Sequence, residues 1–110
     1  MTATGASLTD RVRAALAHES DVREVRMFGG LSFMVRGAML VAVRGDESLL
    51  ARVDPERGNE LVARTGTSRA EMGTGRDMGP GWIHVTAEAL DGDGLTFWLD
   101  AARAYHASLR

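Results

Sequence analysis

With 110 residues, a formal net charge of −2 and no cysteine, the chain is sized for one domain and excludes disulfide scaffolds, thiol nucleophiles and cysteine-ligated zinc. The near-neutral balance offers no electrostatic footprint for nucleic acid, and no apolar run approaches the ~20 residues of a membrane span. All thirteen basic residues are arginine, a cation that stacks and forms bidentate pairs and therefore suits interfaces better than lysine does.

Met1 to Ser7 has neither the basic start nor the apolar stretch of a secretion signal, so a cytoplasmic location is expected; residues 1–7 are expected to be flexible. Ser7 caps a first helix, with Asp10 in the first turn. Leu8, Val12, Ala15 and Leu16 share one face of it. The helix is expected to end near Glu19 to Asp21, with His18 in its last turn.

Alternation with period two follows. Val25 and Met27 alternate with Glu24 and Arg26 up to Gly29-Gly30. Leu31, Phe33 and Val35 alternate with Ser32, Met34 and Arg36. After the turn at Gly37, Met39, Val41 and Val43 alternate with Leu40, Ala42 and Arg44. Past Gly45-Asp46-Glu47, Leu49, Ala51 and Val53 alternate with Leu50 and Arg52. Connections this short join antiparallel neighbours, so these runs predict a four-strand meander.

Asp54-Pro55-Glu56 starts a second helix with a capping acid and a proline at its first position, and Gly66 supplies its left-handed stop. A weak strand is expected around Arg69 to Met72. Trp82 to Val85 reads as the last strand, and Thr86 to Leu90 as a single turn. Leu95, Trp98, Leu99, Ala102, Tyr105 and Leu109 then form the stripe of a final helix. Residues 1–110 thus read as a single α+β domain of two layers. An antiparallel sheet of about six strands carries packed helices, in the order α-β-β-β-β-α-β-β-α.

The alternation assigns Phe33, Met39, Val41, Leu49 and Ala51 to the helix-covered face. It sends Met34, Leu40, Ala42 and Leu50, with Arg26, Arg36, Arg44 and Arg52, to the other. Methionine and arginine beside aliphatics are enriched at protein interfaces, whereas a solvated face would carry more Thr, Glu and Ser. Met34, Arg36, Leu40, Arg44, Leu50 and Arg52 are therefore the candidate docking residues, for a second copy or a peptide. The competing reading folds the terminal helix over part of this face, with the arginines snorkelling to water.

Sites for chemistry are sparse. Gly29-Gly30 precedes an alternating strand rather than a helix, which fits a hairpin or bulge and not a phosphate cradle. Thr74-Gly75-Arg76 is a better anion candidate, combining a hydroxyl, a glycine and a guanidinium; a loop tied down by Arg76 is the alternative. Trp82 and Trp98 pin that loop and the last helix to the core, or else offer a stacking platform. His18, His84 and His106 lack metal-ligand spacing, and Ser32, Ser48 and Ser68 lie in no nucleophile elbow. Asp91-Gly92-Asp93-Gly94 is turn chemistry without the distal glutamate of a calcium loop. No catalytic, metal or cofactor-binding residue is assigned.

Arg26-Met27-Phe28-Gly29-Gly30, Phe33-Met34, Leu50-Ala51-Arg52-Val53-Asp54, Thr74-Gly75-Arg76 with Met78, Gly81-Trp82 and Trp98-Leu99 follow one another at spacings that resemble the N-terminal domain of the TfoX/Sxy family. The resemblance covers roughly residues 8–109. Asp77 stands where the family pattern has proline, and one extra residue precedes Gly81-Trp82. The resemblance implies a small fold similar to the secretion-chaperone-like class in a cytoplasmic bacterial protein. It also implies kinship with regulators of competence for DNA uptake, which act as coactivators alongside the cyclic-AMP receptor protein and carry a further helical domain.

Together these readings point to a non-enzymatic, homodimeric protein-interaction module with a link to transcriptional or competence control. The alternative is a small-molecule or anion-binding protein using Thr74, Gly75 and Arg76 beside Trp82. No cofactor, membrane or direct nucleic-acid partner is expected.

Overall fold

Ser7 sits in extended backbone and its hydroxyl accepts from the Asp10 amide at 3.1 Å, capping α1 (Leu8–Ala15) as its sequence position predicts. Residues 7–27, 30–71 and 75–109 are described by the computed structural model. Residues 1–6 of the segment expected to be flexible, Met72 of the expected weak strand, and Phe28, Gly29 and Thr74 among the candidate residues lie outside them. The helix is shorter than its apolar pattern suggests. Beyond Ala15 the amides of Ala17 and Glu19 bond three residues back, to Ala14 and Leu16, so the chain tightens into turns and His18 lies past the helix end. Asp21, at φ 57°, then reverses the chain into the sheet.

The sheet has six antiparallel strands in the order β1-β2-β3-β4-β6-β5. The meander is β1 (Val22–Met27), β2 (Gly30–Val35), β3 (Ala38–Arg44) and β4 (Leu49–Arg52). After β4, Asp54 caps a 3-10 turn at Pro55–Arg57 through the Glu56 amide, and the turn runs into α2 (Gly58–Val62). Gly66, at φ 81°, ends that excursion, and the Thr67 hydroxyl bonds the carbonyls of Arg64 at 2.6 Å and Val62 at 3.0 Å. The weak strand falls earlier than its sequence pattern places it: β5 is Thr67–Arg69, followed by an isolated bridge between Glu71 and Asp77. β6 (Trp82–Val85) slots between β4 and β5. A 3-10 turn at Ala87–Leu90 leads to α3 (Gly94–Ala107).

One layer of the core lies between the sheet and the helices. It joins Phe33, Val41, Ala51 and Ile83 of the strands to Val12 of α1, Leu61 of α2, and Trp98 and Leu99 of α3. Arg103 fastens α3 to α1 by donating to the Ala15 carbonyl at 3.0 Å. His106 donates from Nε2 to the Val35 carbonyl at 2.7 Å, since a carbonyl can only accept. Of the predicted helical stripe, Leu95, Trp98, Leu99 and Ala102 are buried, whereas Leu109 lies beyond the helix end and is exposed.

A candidate interaction face

The register fixes which side chains share the second face. Val25 lies opposite Ser32, Ser32 opposite Ala42, Ala42 opposite Leu50, and Leu50 opposite His84, a row crossing five strands. Arg23, Met34 and Met39 form a parallel row, and Arg52 faces Trp82. Met39, Ala42, Leu50 and Ala70 are the buried centre of this second cluster, with Met34, Met78 and Trp82 packed on it.

Period-two reasoning first fails in β3. Phe33 pairs with Val41, but the next residue, Met34, pairs with Met39, so Leu40 is an extra residue in β3. Such a bulge shifts the alternation by one. Leu40, expected on the docking face, is instead 2% exposed within the helix-side core, and Met39 takes the second face in its place. Arg36 also leaves that face. It occupies the β2–β3 turn at φ 49°, and its guanidinium lies 3.6 Å from Glu19 on the helix side, near Arg103. Arg26 lies opposite Leu31, which packs on the helix-side core, so the row sets it on that side as well.

Neither a solvated second face nor a covering terminal helix describes the rest. The chain on either side of the Glu71–Asp77 bridge lies over its centre, with Ala70 entering and Met78 to Trp82 returning. It is closed on itself by Met78 N–H to the Ala70 carbonyl at 2.9 Å and Ala70 N–H to the Trp82 carbonyl at 3.0 Å. Leu50 is fully buried beneath it. Gly81 lets this segment approach β4, because a Cβ there would lie 2.9 Å from the Val53 carbonyl oxygen, while the Gly81 carbonyl accepts from Val53 N–H at 2.8 Å. Arg52 reaches over the sheet end, its guanidinium carbon 5.3 Å from the Trp82 ring centre and 5.4 Å from that of Tyr105. A small cleft of about 150 Å³ opens there, lined by Arg52, Pro55, Met78, Pro80, Trp82 and Tyr105.

Trp82 thus meets Arg52, while Thr74, proposed with it for an anion, lies outside the described residues. Gly75 and Arg76, which precede the bridged Asp77, are exposed and line no part of that cleft. The Gly75 amide donates to Glu71 at 3.3 Å, so the loop's own carboxylate already occupies one donor of the proposed anion site. Of the glycine signature at the first hairpin, Met27 pairs with Gly30, and a Cβ on Gly30 would fall onto the Val43 carbonyl oxygen. That close approach, rather than a ligand, accounts for the glycine at position 30.

What remains uncovered is the β1 side. β1 is an edge strand whose central residues Arg23 to Arg26 are all exposed, and Val25 stands 39% exposed on the second-face row. Beside it Met27, Met34 and Arg44 are half-buried. Arg44 Nε is buried without a hydrogen-bond partner among the described residues, and no ion pair among those residues engages Arg23, Arg26 or Arg44. On the helix side of the same edge, Glu24 receives Arg13 at 2.7 and 2.8 Å. That hydrogen bond holds the Glu24 carboxyl below its ordinary 4.5, so it is ionised near neutrality. Sequence patterning finds Val25 as an alternating strand residue but gives no sign that its strand is the sheet's edge.

A groove of about 640 Å³ lies elsewhere, between the ends of α2 and α3, where Arg64 stacks on Phe97 at 3.8 Å. Among the described residues no group of three His, Cys, Asp or Glu side chains could hold a metal ion, and no helix is long and apolar enough to cross a membrane.

Architecture and surface define a small α+β domain: an open six-strand antiparallel sheet with three helices on one face. The family model of the TfoX N-terminal domain matches residues 14–106, so the chain belongs to that family. The crystal structure of Deinococcus radiodurans protein DR2400, with the family-model domain DUF419, superposes with a TM-score of 0.65 at 20% identity, over 94% of this chain and 78% of that one. At that identity the likeness is one of fold. No curated protein sequence matches this chain.

Proposed function

We propose that this domain is a non-enzymatic protein-interaction module that self-associates and serves a regulatory assembly of the kind its family is linked to in competence control. One observation carries the reading: the sheet's second face is sheltered at its centre by the chain's own Met78–Trp82 segment but left open along β1, where Val25 is 39% exposed beside half-buried Met27 and Met34. An uncovered edge strand with an apolar residue at its middle is a template for another strand. Arginines that engage no acid among the described residues, set beside methionine, match the composition of protein interfaces. Sedimentation equilibrium of the parent chain from about 1 to 300 μM tests it, the range in which edge-strand pairs of modest area associate. A concentration-dependent rise to twice the monomer mass supports the reading, and a monomer throughout removes its homodimeric part.

A further inference from the structure

Building on that reading, we propose that two copies join through antiparallel β1–β1′ pairing about a two-fold axis at Val25, with Glu24 of each copy opposite Arg26 of the other. The axis of such a pairing stands perpendicular to the sheet, so a helix-side residue must face a helix-side residue. Glu24 and Arg26 lie opposite Phe33 and Leu31 and are on the helix side. Arg23, Val25 and Met27 belong to the second face. Only registers that centre on one residue are therefore possible.

Charge selects among them. Centring on Glu24 sets two carboxylates against each other, and centring on Arg23 or Arg26 sets two guanidiniums together. Directly opposed like charges destabilise an antiparallel pair. Centring on Met27 would leave Glu24 and Arg26 without each other. Centring on Val25 places the exposed valine against its own copy, Arg23 opposite Met27, and two Glu24–Arg26 pairs symmetrically about the axis. Centring on Val22 would pair little more than the first residue of β1, so among registers that use most of the strand this one alone sets charged residues opposite their counter-charges. Arg13 and the Arg26 of the second copy would then flank the same Glu24 carboxylate, which Arg13 already holds in place.

Two single variants and their mixture test the register. Arg26→Glu leaves the Arg13–Glu24 pair intact and sets Glu24 opposite the introduced carboxylate in both halves. Glu24→Arg sets arginine opposite arginine. Each alone is expected to weaken self-association about tenfold or more relative to the parent. Mixed at equal concentration they restore a dimer, because every charged pair across the axis becomes acid against base. Because the chain has no cysteine, Val25→Cys also introduces a single thiol at the axis, where opposed Cα atoms lie within disulfide reach. Oxidation is expected to yield a covalent dimer from Val25→Cys and none from Arg23→Cys, whose two copies would sit four residues apart. Parent-like dimers from both charge variants, or cross-linking through position 23 instead of 25, overturn the register while leaving the interaction reading intact. A parent chain that stays monomeric overturns the register together with the homodimeric part of that reading.

Discussion

The guanidinium of Arg52 lies 5.3 Å from the ring centre of Trp82, its direct cross-strand partner on β6, and is shared with Tyr105 of α3 at 5.4 Å. One cation thus links the segment that covers the second face to the helix that covers the first. Arg52→Ala is expected to cost about 1 kcal/mol, the scale of a partly desolvated cation–π contact. Arg52→Lys should recover part of it. Urea unfolding followed by tryptophan emission measures both, and an unchanged midpoint for Arg52→Ala would show that the stacking holds nothing.

Gly58 begins α2 beneath Pro80, and a Cβ there would collide with the Pro80 carbonyl oxygen. The helix start and the covering segment meet at that point with no space for a methyl group. Gly58→Ala is expected to destabilise by about 1–3 kcal/mol through overpacking, and to expose Met78 and Trp82 to quenchers before global unfolding. Gly45 offers the control, since its Cβ would meet nothing within 4 Å; Gly45→Ala should cost far less.

Leu40 separates the two readings of β3. As a surface docking residue it would tolerate truncation, but within the helix-side core at 2% exposure it will not. Leu40→Ala is expected to cost about 2–4 kcal/mol, the range for a buried leucine, without changing self-association by the surviving folded chain. Chemical denaturation and sedimentation of the same sample read the two effects separately.

Asp46 accepts from the Ser48 hydroxyl at 2.5 Å and the Ser48 amide at 3.1 Å. These bonds, led by the hydroxyl, with a smaller contribution from the charge of His84, hold its carboxyl below the ordinary 3.8. A carboxyl depressed in the folded state stabilises above its unfolded value and loses that contribution as pH falls through the folded one. The turn should therefore weaken in the acid range below about pH 4. Ser48→Ala should move the Asp46 titration up towards 3.8 in NMR, with a change in stability of no more than about 0.5 kcal/mol for so exposed a group.

Much of this fold is written in local pattern. Ser7 and Asp54 mark their helix starts, Gly66 its stop, and the alternation from Val25 to Val53 the meander. The bulge at Leu40 is not, because no residue type at 38–41 distinguishes a two-against-one pairing from a regular ladder. That single extra residue exchanges Met39 and Leu40 between faces. Arg36 escapes the alternation for a related reason: a turn residue at φ 49° no longer obeys the strand's period. The cover over Leu50 is equally invisible in the pattern, since it depends on a non-local return of the Met78–Trp82 segment across the sheet. The order that puts β6 inside β5 and leaves β1 at the edge is set by that same long-range pairing, so the exposed strand emerges only from the assembled sheet.

Amide hydrogen exchange in dilute and concentrated samples probes the open edge most directly. Self-association through the sheet predicts that the amides of Val22 to Met27 which point away from β2 slow markedly with concentration, while those of exposed Gly75 and Arg76 do not change. Identical exchange along β1 at both concentrations, in a chain that nevertheless remains folded, would contradict a sheet edge built to receive a second copy.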